Sequence, residues 1–498
     1  MQKRHTNRVI ILIITTILLL NCGDEGKKEE LDAISNDVVF KDLLSLDTRE
    51  EGDFEEISDI TYEGGFEEDI SILDTVTDEL DVKTSTDVYL EDTSLQDEGY
   101  MDVGEVIDAN EDVNNMGDII TDTGDVNYEA RAVWVTRWDF DKSKATGPQS
   151  IATIMKNIAE ANFNMVYFQV RGRADAYYRS SYEPWAQEFT GTLGVDPGWD
   201  PLKVAIEEAH KNGLEIHAWI NTFTMWSGTT PPSESLPRHI YLSHPEWLVV
   251  DSNGNRMALN SSYVFATPGN PAVWDHIINV VSEIALRYNV DGIHFDYIRY
   301  PGPNYSYDPV SNTRFNEAKS KDSSLTREDW QRSQVTEFLS RAYESIISIK
   351  PMLKVTAAVW GIYRNKWGWT NVSQGYSDYY QDSQNWMKLG IIDAISPMIY
   401  WPMTNPPGQR ADYATLASDF MSNSHNRFLF AGLHVYPRNE TDTLTFSEMV
   451  QEIEYLRKIG AQGMAIYNYA LLRQHNYFDE LRNGPFKEKA YIPPMGWK

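Results

Sequence analysis

Short apolar runs alternate with longer amphipathic stretches from about residue 130 to the end of the chain. The runs are rich in Val, Ile, Phe and Ala and predict β-strands, whereas the stretches between them repeat apolar residues at helical spacing. The predicted strands are Ala132–Thr136, Met165–Val170, Glu215–Ile220, Gly292–Asp296, Lys354–Val359, Ala394–Ile399, Phe428–Leu433 and Gly463–Tyr467. The predicted helices are Ile151–Ala161, Leu202–Lys211, Pro271–Tyr288, Arg327–Ile349, Gln381–Leu389, Ala411–Ser424, Phe446–Ile459 and Leu471–Leu481.

Eight strand–helix pairs in this order indicate an α/β fold, a (β/α)8 TIM barrel with a parallel sheet. A doubly wound open sheet is the competing architecture, but no Gly-rich phosphate loop follows the first predicted strand. The connection from Thr222 to Asn270 is unusually long and contains an Asn253-Gly254 turn signal. We therefore expect it to fold a hairpin of its own and to wall one side of a cleft.

Period-two alternation along the strands predicts which side chains face the barrel axis. Near the carboxyl ends of four strands these inward positions are polar or aromatic, which is not typical of a purely structural core. They are Tyr167, Gln169, Arg171, His217, Trp219, Asn221, His294, Asp296, Met398 and Tyr400, with Trp401 just beyond. Barrels of this type carry their active sites at that end of the strands.

Aromatic residues cluster on or just beyond the same strand ends. They are Trp219, Trp226, Trp360, Tyr363, Trp367, Trp369, Tyr400 and Trp401. With 15 Trp and 28 Tyr in the chain, packing alone can account for any single one. The cluster as a whole favours stacking on the apolar faces of sugar rings, with the inward polar groups holding hydroxyls.

Asp296 is the strongest catalytic candidate because it ends the fourth predicted strand at the barrel mouth. It could act as a nucleophile, as a general acid or base, or as an orienting group for an N-acetyl substituent. The alternative is an ion pair with Arg299 or Arg171. His294 lies two residues earlier on the same face and is expected to position its neighbours. No HExxH motif or Cys/His spacing predicts a metal, and we expect no cofactor.

A second carboxyl group is harder to assign. Glycoside hydrolysis generally uses two, about 5–5.5 Å apart for retention and about 6.5–9.5 Å apart for inversion. Glu183, in the loop after the second strand, ranks first, Asp139 after the first strand ranks second, and Asp382 is more distant. The sequence leaves this acid open.

The amino terminus has the pattern of a secretion signal. Lys3, Arg4 and Arg8 precede an apolar run, Val9 to Leu20, that would extend only about 18 Å as a helix and is short for a bilayer span. Cys22 is the only cysteine in the chain and follows a lipobox-like Leu-Leu-Asn, so residues 1–22 predict a lipoprotein signal peptide with lipidation at Cys22. A plain signal peptide is the alternative. We expect a location in the bacterial cell envelope, anchored to a membrane.

Residues 23–127 contain 35 Asp and Glu against 5 Lys and Arg, which accounts for nearly all of the chain's net charge of −31. The segment lacks Pro and Trp and shows no sustained helical period. Such a composition buries too little apolar surface to offset its ordering entropy, so we interpret it as a disordered acidic linker to a barrel at residues 128–498. Its acidity argues against nucleic acid, and nothing in the sequence predicts a protein partner.

The barrel segment resembles the glycosyl-hydrolase-like 10 family of bacterial lipoproteins over roughly Glu129 to Tyr469. The motifs that carry the resemblance are Arg131-Ala-Val-Trp-Val, Val166-Tyr-Phe-Gln-Val-Arg, Tyr182-Glu-Pro-Trp with Thr190-Gly191, His217-Ala-Trp-Ile-Asn, Val290-Asp-Gly-Ile-His-Phe-Asp, Trp360-Gly-Ile-Tyr-Arg-Asn and Ser396-Pro-Met-Ile-Tyr-Trp. The resemblance implies a TIM-barrel glycosidase, and one branch of the family acts on peptidoglycan strands stripped of their peptides.

Two departures from known motifs limit what the resemblance transfers. Members of the family often have Asp-Asp after the fourth strand, whereas Tyr297 takes the second place here. The same strand is similar to the Asp-Gly-x-Asp-x-Asp-x-Glu motif of chitinase-type barrels, but His294 replaces its second Asp and Ile298 stands where its catalytic Glu belongs.

Together these features predict a glycoside hydrolase for an N-acetylated bacterial glycan, including peptidoglycan strands without stem peptides. Asp296 and Glu183 are the predicted catalytic residues. The predicted sugar-binding residues are Gln169, Arg171, His217, Trp219, Asn221, His294, Arg299, Trp360, Tyr363, Tyr400 and Trp401. A non-catalytic glycan-binding envelope lipoprotein is the alternative, because the second carboxyl is not evident.

Overall fold

The structure, a computed structural model, describes residues 126–260, 262–404, 406–435 and 445–498. Its strands are β1 (Ala130–Val135), β2 (Met165–Arg171), β3 (Glu215–Asn221), β4 (Thr224–Ser227), β5 (Tyr263–Phe265), β6 (Gly292–Asp296), β7 (Lys354–Trp360), β8 (Ala394–Met398), β9 (Phe428–His434) and β10 (Gly463–Tyr467). Eight of them form a closed barrel in the order β1-β2-β3-β6-β7-β8-β9-β10. Every strand pair in the barrel is parallel, which confirms the predicted (β/α)8 fold.

Helices follow the barrel strands and cover the outside of the sheet. They are α1 (Gly147–Glu160), α2 (Pro201–Lys211), α3 (Ile240–Ser243), α4 (Pro271–Arg287), α5 (Pro309–Lys321), α6 (Arg327–Ile349), α7 (Gly375–Asp378), α8 (Ser383–Leu389), α9 (Tyr413–Ser422), α10 (Phe446–Ile459), α11 (Tyr469–Gln474) and α12 (Tyr477–Asn483). Within the described ranges, no helix combines the length and apolar character needed to span a membrane.

The prediction of one continuous helix over Leu471–Leu481 is wrong. Residues 471–481 belong instead to α11 and α12, which are separated at Asn476. Asn476 has a φ of 58°, in the left-handed region that asparagine tolerates better than most residues. The chain therefore turns between two short helices where the apolar spacing alone suggested one.

Two apolar layers lie on the opposite faces of the barrel strands. Outward-facing strand residues such as Val166, Ile293 and Phe295 pack against the helices and are fully buried. A separate cluster fills the barrel interior and includes Trp134, Tyr167, Trp219, Phe430 and Tyr467. The strand alternation predicted from the sequence thus separates an outer core from an inner one.

The long connection after β3 builds one wall above the barrel. β4 and β5 pair in an antiparallel two-stranded sheet. The predicted hairpin at Asn253-Gly254 is present as well, with an antiparallel bridge between Val250 and Arg256. Gly254 has a φ of 86°, which suits glycine in such a turn.

Candidate active site

A narrow pocket opens at the carboxyl ends of the barrel strands. Six residues predicted from strand alternation line it: Gln169, Trp219, Asn221, Asp296, Met398 and Tyr400. The remainder of the lining consists of Trp134, Thr136, Arg137, Trp138, Tyr263, Tyr297, Ala358 and Tyr467. Indole and phenol rings therefore surround a small number of polar groups, an arrangement typical of ligand sites.

Asp296 is the last residue of β6 and is 4% exposed. Its Oδ1 accepts a hydrogen bond of 2.6 Å from the backbone N–H of Tyr297. Tyr297 has a φ of 49°, a left-handed conformation that strains a tyrosine and is often found at functional sites. The turn after β6 thus holds the carboxyl group at the pocket and leads the chain away from it.

Arg299 supports Asp296 from beside the pocket. Its Nη1 lies 3.7 Å from Asp296 Oδ1, as the ion-pair alternative expected. The guanidinium is enclosed by aromatic rings, at 4.4 Å from the ring centre of Tyr297, 5.3 Å from Trp360 and 5.6 Å from Tyr379. Arg299 does not line the pocket. Its contribution is a positive charge next to the Asp296 carboxyl group.

The remaining aromatic candidates lie outside the pocket lining. Trp360 donates its indole N–H to the carbonyl of Ser373, and the Tyr363 hydroxyl donates to Asp382. Trp401 is 8% exposed. The sugar-binding roles assigned to Trp360, Tyr363 and Trp401 stay predictions.

Glu183 and Arg171, two of the predicted site residues, form a buried ion pair. Arg171 Nε lies 3.0 and 2.9 Å from the two Glu183 oxygens, and His276 Nε2 lies 3.0 Å from Oε1. Burial by itself would raise the Glu183 pKa, but the Arg171 charge and the His276 hydrogen bond outweigh it and lower the pKa to about 2. A general acid must hold a proton near the working pH, so Glu183 is unsuited to that role.

Arg171 braces the backbone and does not face the pocket. In addition to Glu183, it donates hydrogen bonds to the carbonyls of Asn221, Thr222 and Thr224. Both charges of the pair are therefore satisfied within the protein. The pair ties the end of β2 to the start of the long connection after β3.

His294 and His217 lie in the barrel interior beneath the pocket, not in its lining. His294 Nε2 accepts a hydrogen bond of 3.0 Å from the indole of Trp134, so its other nitrogen carries the proton, 2.9 Å from Thr356 Oγ1. Burial, and then the charge of His217, lowers the pKa of His294 well below its usual range. His294 also stacks on Tyr167 at 3.8 Å. The contacts of His294 are thus with other side chains of the barrel interior, and the sugar-binding roles predicted for both histidines stay predictions.

Asp139 differs from Glu183 in its surroundings. Its Oδ2 accepts a hydrogen bond of 2.6 Å from the backbone N–H of Thr136, a residue of the pocket lining. Burial raises the pKa of Asp139 to about 6, against the lowering effect of that hydrogen bond. A carboxyl group with this pKa can hold a proton at mildly acidic pH. Asp139 is therefore the better candidate for the second carboxyl.

Sequence reasoning missed the contribution of β1 and did not name Tyr263, the residue by which the long connection lines the pocket. Applying the same alternation to β1 would have found Trp134 on the inner face, with Arg137 just past the strand end. Tyr263 had no comparable signal, because β5 lies outside the barrel and its position depends on tertiary packing. In the described part of the chain, no group of three or more His, Cys, Asp or Glu residues could hold a metal ion.

Comparisons with known proteins match this chain to proteins described as glycosyl hydrolases or glycosyl hydrolase-like. A family model described as Glycosyl hydrolase-like 10 matches residues 129–443. Glycosyl hydrolase YngK of Bacillus subtilis is 29% identical over 391 residues, which is 74% of either chain. Glycosyl hydrolase DigH of Escherichia coli K12 is 29% identical over 308 residues, covering 59% of this chain and 66% of DigH, just under two thirds of its length.

Among solved structures, the glycoside hydrolase domain of PgaB (BpsB) from Bordetella bronchiseptica shares the fold. It has a TM-score of 0.52 at 13% sequence identity, over 71% of this chain and 98% of that domain. At this identity the likeness concerns the fold alone.

Proposed function

The chain belongs to the glycosyl hydrolase-like 10 family, and from this we propose that it is a glycoside hydrolase acting on an N-acetylated bacterial glycan. The observation that carries the proposal is the position of Asp296. Its carboxyl group ends a barrel strand and faces a pocket walled by Trp219, Tyr400 and Tyr467. Aromatic faces bind the apolar faces of pyranose rings, and a carboxylate stabilises the oxocarbenium-like transition state of glycoside cleavage.

Polar groups in the pocket suit a hydroxylated ligand. The indole N–H of Trp219 is buried and has no hydrogen-bond partner among the described residues. Gln169 Nε2 donates to Asn221 Oδ1 at 3.2 Å, so these two amides hold each other in place. A sugar hydroxyl or acetamido oxygen could accept the hydrogen bond from Trp219, which gives the pocket a means of orienting the ring.

We assign the proton donor to Asp139 within this proposal. Its raised pKa allows it to protonate the leaving glycosidic oxygen, while Asp296 acts on the opposite side of the sugar as nucleophile or base. Arg299 places a positive charge 3.7 Å from Asp296. Asp139 and Asp296 thus occupy distinct electrostatic environments, as the two roles require.

The substrate we propose is the peptidoglycan strand without stem peptides. We propose that the protein acts in the cell envelope, where Cys22 anchors the chain to a membrane. The signal pattern and Cys22 lie outside the described residues, so this part of the proposal depends on the sequence alone. The alternative is a glycan-binding lipoprotein without activity.

The test is to incubate the full chain with purified glycan strands, with and without stem peptides, and to measure new reducing ends and sedimentation. Release of short products from stripped strands supports the proposal. Co-sedimentation without products identifies the binding protein instead. Products from an unrelated polysaccharide but not from cell-wall strands would replace the substrate and keep the reaction.

A further inference from the structure

Arg137 is a pocket cation with no close carboxylate partner in the described chain. It follows β1, lines the same pocket as Asp296 and is 5% exposed. Within the described ranges, no carboxylate oxygen lies within 4.0 Å of its guanidinium. Its Nη2 donates to the Tyr263 hydroxyl at 2.7 Å, but its Nε is buried and has no hydrogen-bond partner. Leaving a buried donor unpaired is unfavourable, and more so when the group is charged.

The other arginines near the pocket are already neutralised. Arg171 pairs with Glu183 at 2.8 Å. Arg173 pairs with Asp175 at 3.2 Å and with Glu188 at 2.5 Å. The acids that act electrostatically on Arg137 include these same partners of Arg173, and neither forms an ion pair with Arg137. Arg137 is thus distinguished from Arg171 and Arg173 in having charge to offer a ligand.

The guanidinium of Arg137 packs closely against Gly172 and the ring of Trp138. A Cβ added to Gly172 would lie 2.9 Å from Nε and 3.0 Å from Cζ, so any larger residue there would displace the guanidinium. The carbonyl of Gly172 accepts hydrogen bonds from Asn221 at 3.1 Å and Thr224 at 2.7 Å, which fix the backbone there. The ring of Trp138 lies 4.6 Å away. The cation is therefore positioned before any ligand arrives.

We infer that Arg137 binds a carboxylate carried by the sugar substrate, an inference that rests on the proposed function. A guanidinium pairs with a carboxylate through parallel N–H donors, and such charge-assisted bonds are about twice as strong as neutral ones. Two kinds of sugar supply this group. One is the lactyl ether of N-acetylmuramic acid, which is anionic only when no stem peptide is attached through an amide. The other is a uronic acid.

The lactyl source would explain how one pocket distinguishes stripped strands from peptide-bearing ones. Hydrolysis of the amide between the lactyl group and the peptide converts a neutral group into a carboxylate and releases an amine. The reaction that supplies this enzyme with substrate is then an amide hydrolysis. With the peptide in place, Arg137 would face a neutral amide and a bulky chain.

The test measures binding to the full chain with thio-linked tetrasaccharides, which resist hydrolysis. Three ligands are compared by calorimetry: alternating N-acetylglucosamine and N-acetylmuramic acid, the same compound as its lactyl methyl ester, and alternating N-acetylglucosamine and glucuronic acid. We expect an acidic ligand to bind about tenfold more tightly than the ester, equal to about 1.4 kcal/mol. Tighter binding of the glucuronate compound would identify the carboxylate as that of a uronic acid.

The variants locate the effect on Arg137. Arg137→Met should bring the affinity for the acid down to that for the ester, and Arg137→Lys should fall between. Gly172→Ala keeps the charge but displaces it, and should reduce the tenfold preference without relying on the loss of an arginine. Arg179→Met removes an arginine that is 56% exposed and paired with Asp196, and should keep the preference.

Equal binding of acid and ester by the wild-type chain, or a preference that survives both Arg137→Met and Gly172→Ala, would overturn the inference. Cleavage of stripped strands without any preference would remove the carboxylate site and leave the proposed function intact. A tenfold preference for the acidic ligand without any cleavage would keep the carboxylate site and remove the proposed hydrolase function.

Discussion

At the residue scale, two carboxyl groups near the barrel mouth show how surroundings decide chemistry. Glu183 lies against Arg171 and His276, and its pKa is lowered to about 2 despite full burial. Asp139 is only partly buried and has a backbone N–H as its main partner, and its pKa is raised to about 6. The first group is a permanent anion that holds the fold together. In the proposed function, the second serves as the proton donor.

Glu183→Gln should destabilise the protein and spare its chemistry. Removing one partner of a buried ion pair costs about 3 kcal/mol, because Arg171 is left without its counter-charge. The Glu183 pKa is below its ordinary 4.5, so the pair contributes fully above that pH and its contribution is lost as pH falls through about 2. Urea unfolding at pH 7 and pH 3 should show a smaller difference in the variant. A kcat loss of a hundredfold with unchanged stability would restore Glu183 as the acid.

Asp139 should set the upper pH limit of activity. Because the protonated form donates, kcat/KM should fall about tenfold per pH unit above about 6, and Asp139→Asn should remove this slope and lower the rate about a hundredfold. Asp141→Asn, in the same loop but on the surface, is the matched control. A slope that persists in Asp139→Asn would assign the proton donor elsewhere.

At the scale of elements, strand alternation predicted six of the residues that line the pocket. Gln169, Trp219 and Asn221 face the pocket because a strand repeats every two residues and the barrel fixes its two sides. Arg171 follows the same alternation, yet its long side chain turns to Glu183, and no local pattern encodes a partner twelve residues away in a loop. His294 faces inward as predicted but is covered by Trp134.

The small sheet of β4 and β5 should affect binding more than stability. Tyr263 in β5 holds Arg137 by a hydrogen bond of 2.7 Å, which is worth about 1 kcal/mol. We expect Tyr263→Phe to raise KM for stripped strands about fivefold with kcat unchanged, as measured by steady-state kinetics. Tyr241→Phe, in the same connection, serves as the control. An unchanged KM would show that β5 has no part in holding the substrate.

At the scale of the whole molecule, eight repeated strand–helix units made the barrel predictable. Helices α6 and α10 begin and end at the predicted residues. Their starts are marked in the sequence because each follows a Thr whose side chain accepts a hydrogen bond at the helix start. The structure of residues 1–125 lies outside the described part, and the predicted acidic linker there stays a prediction. Composition predicts only the class of such a segment.

Cys22 should decide where the chain resides. Cys22→Ser removes the thiol that a lipid would modify, so the variant should no longer incorporate radiolabelled palmitate and should move from the membrane fraction to the soluble one. Activity of the released chain on stripped strands should be retained. Membrane retention of the variant without label would point to a different attachment.

The most direct test of the account is the activity of Asp296→Asn on peptide-free glycan strands. The change removes one carboxylate and preserves its shape, so we expect kcat/KM to fall about a thousandfold or more while the unfolding temperature changes little. Asp275→Asn, an aspartate on the surface of α4, should cleave at the wild-type rate. Wild-type cleavage by Asp296→Asn would contradict the central claim that this carboxyl group performs the chemistry.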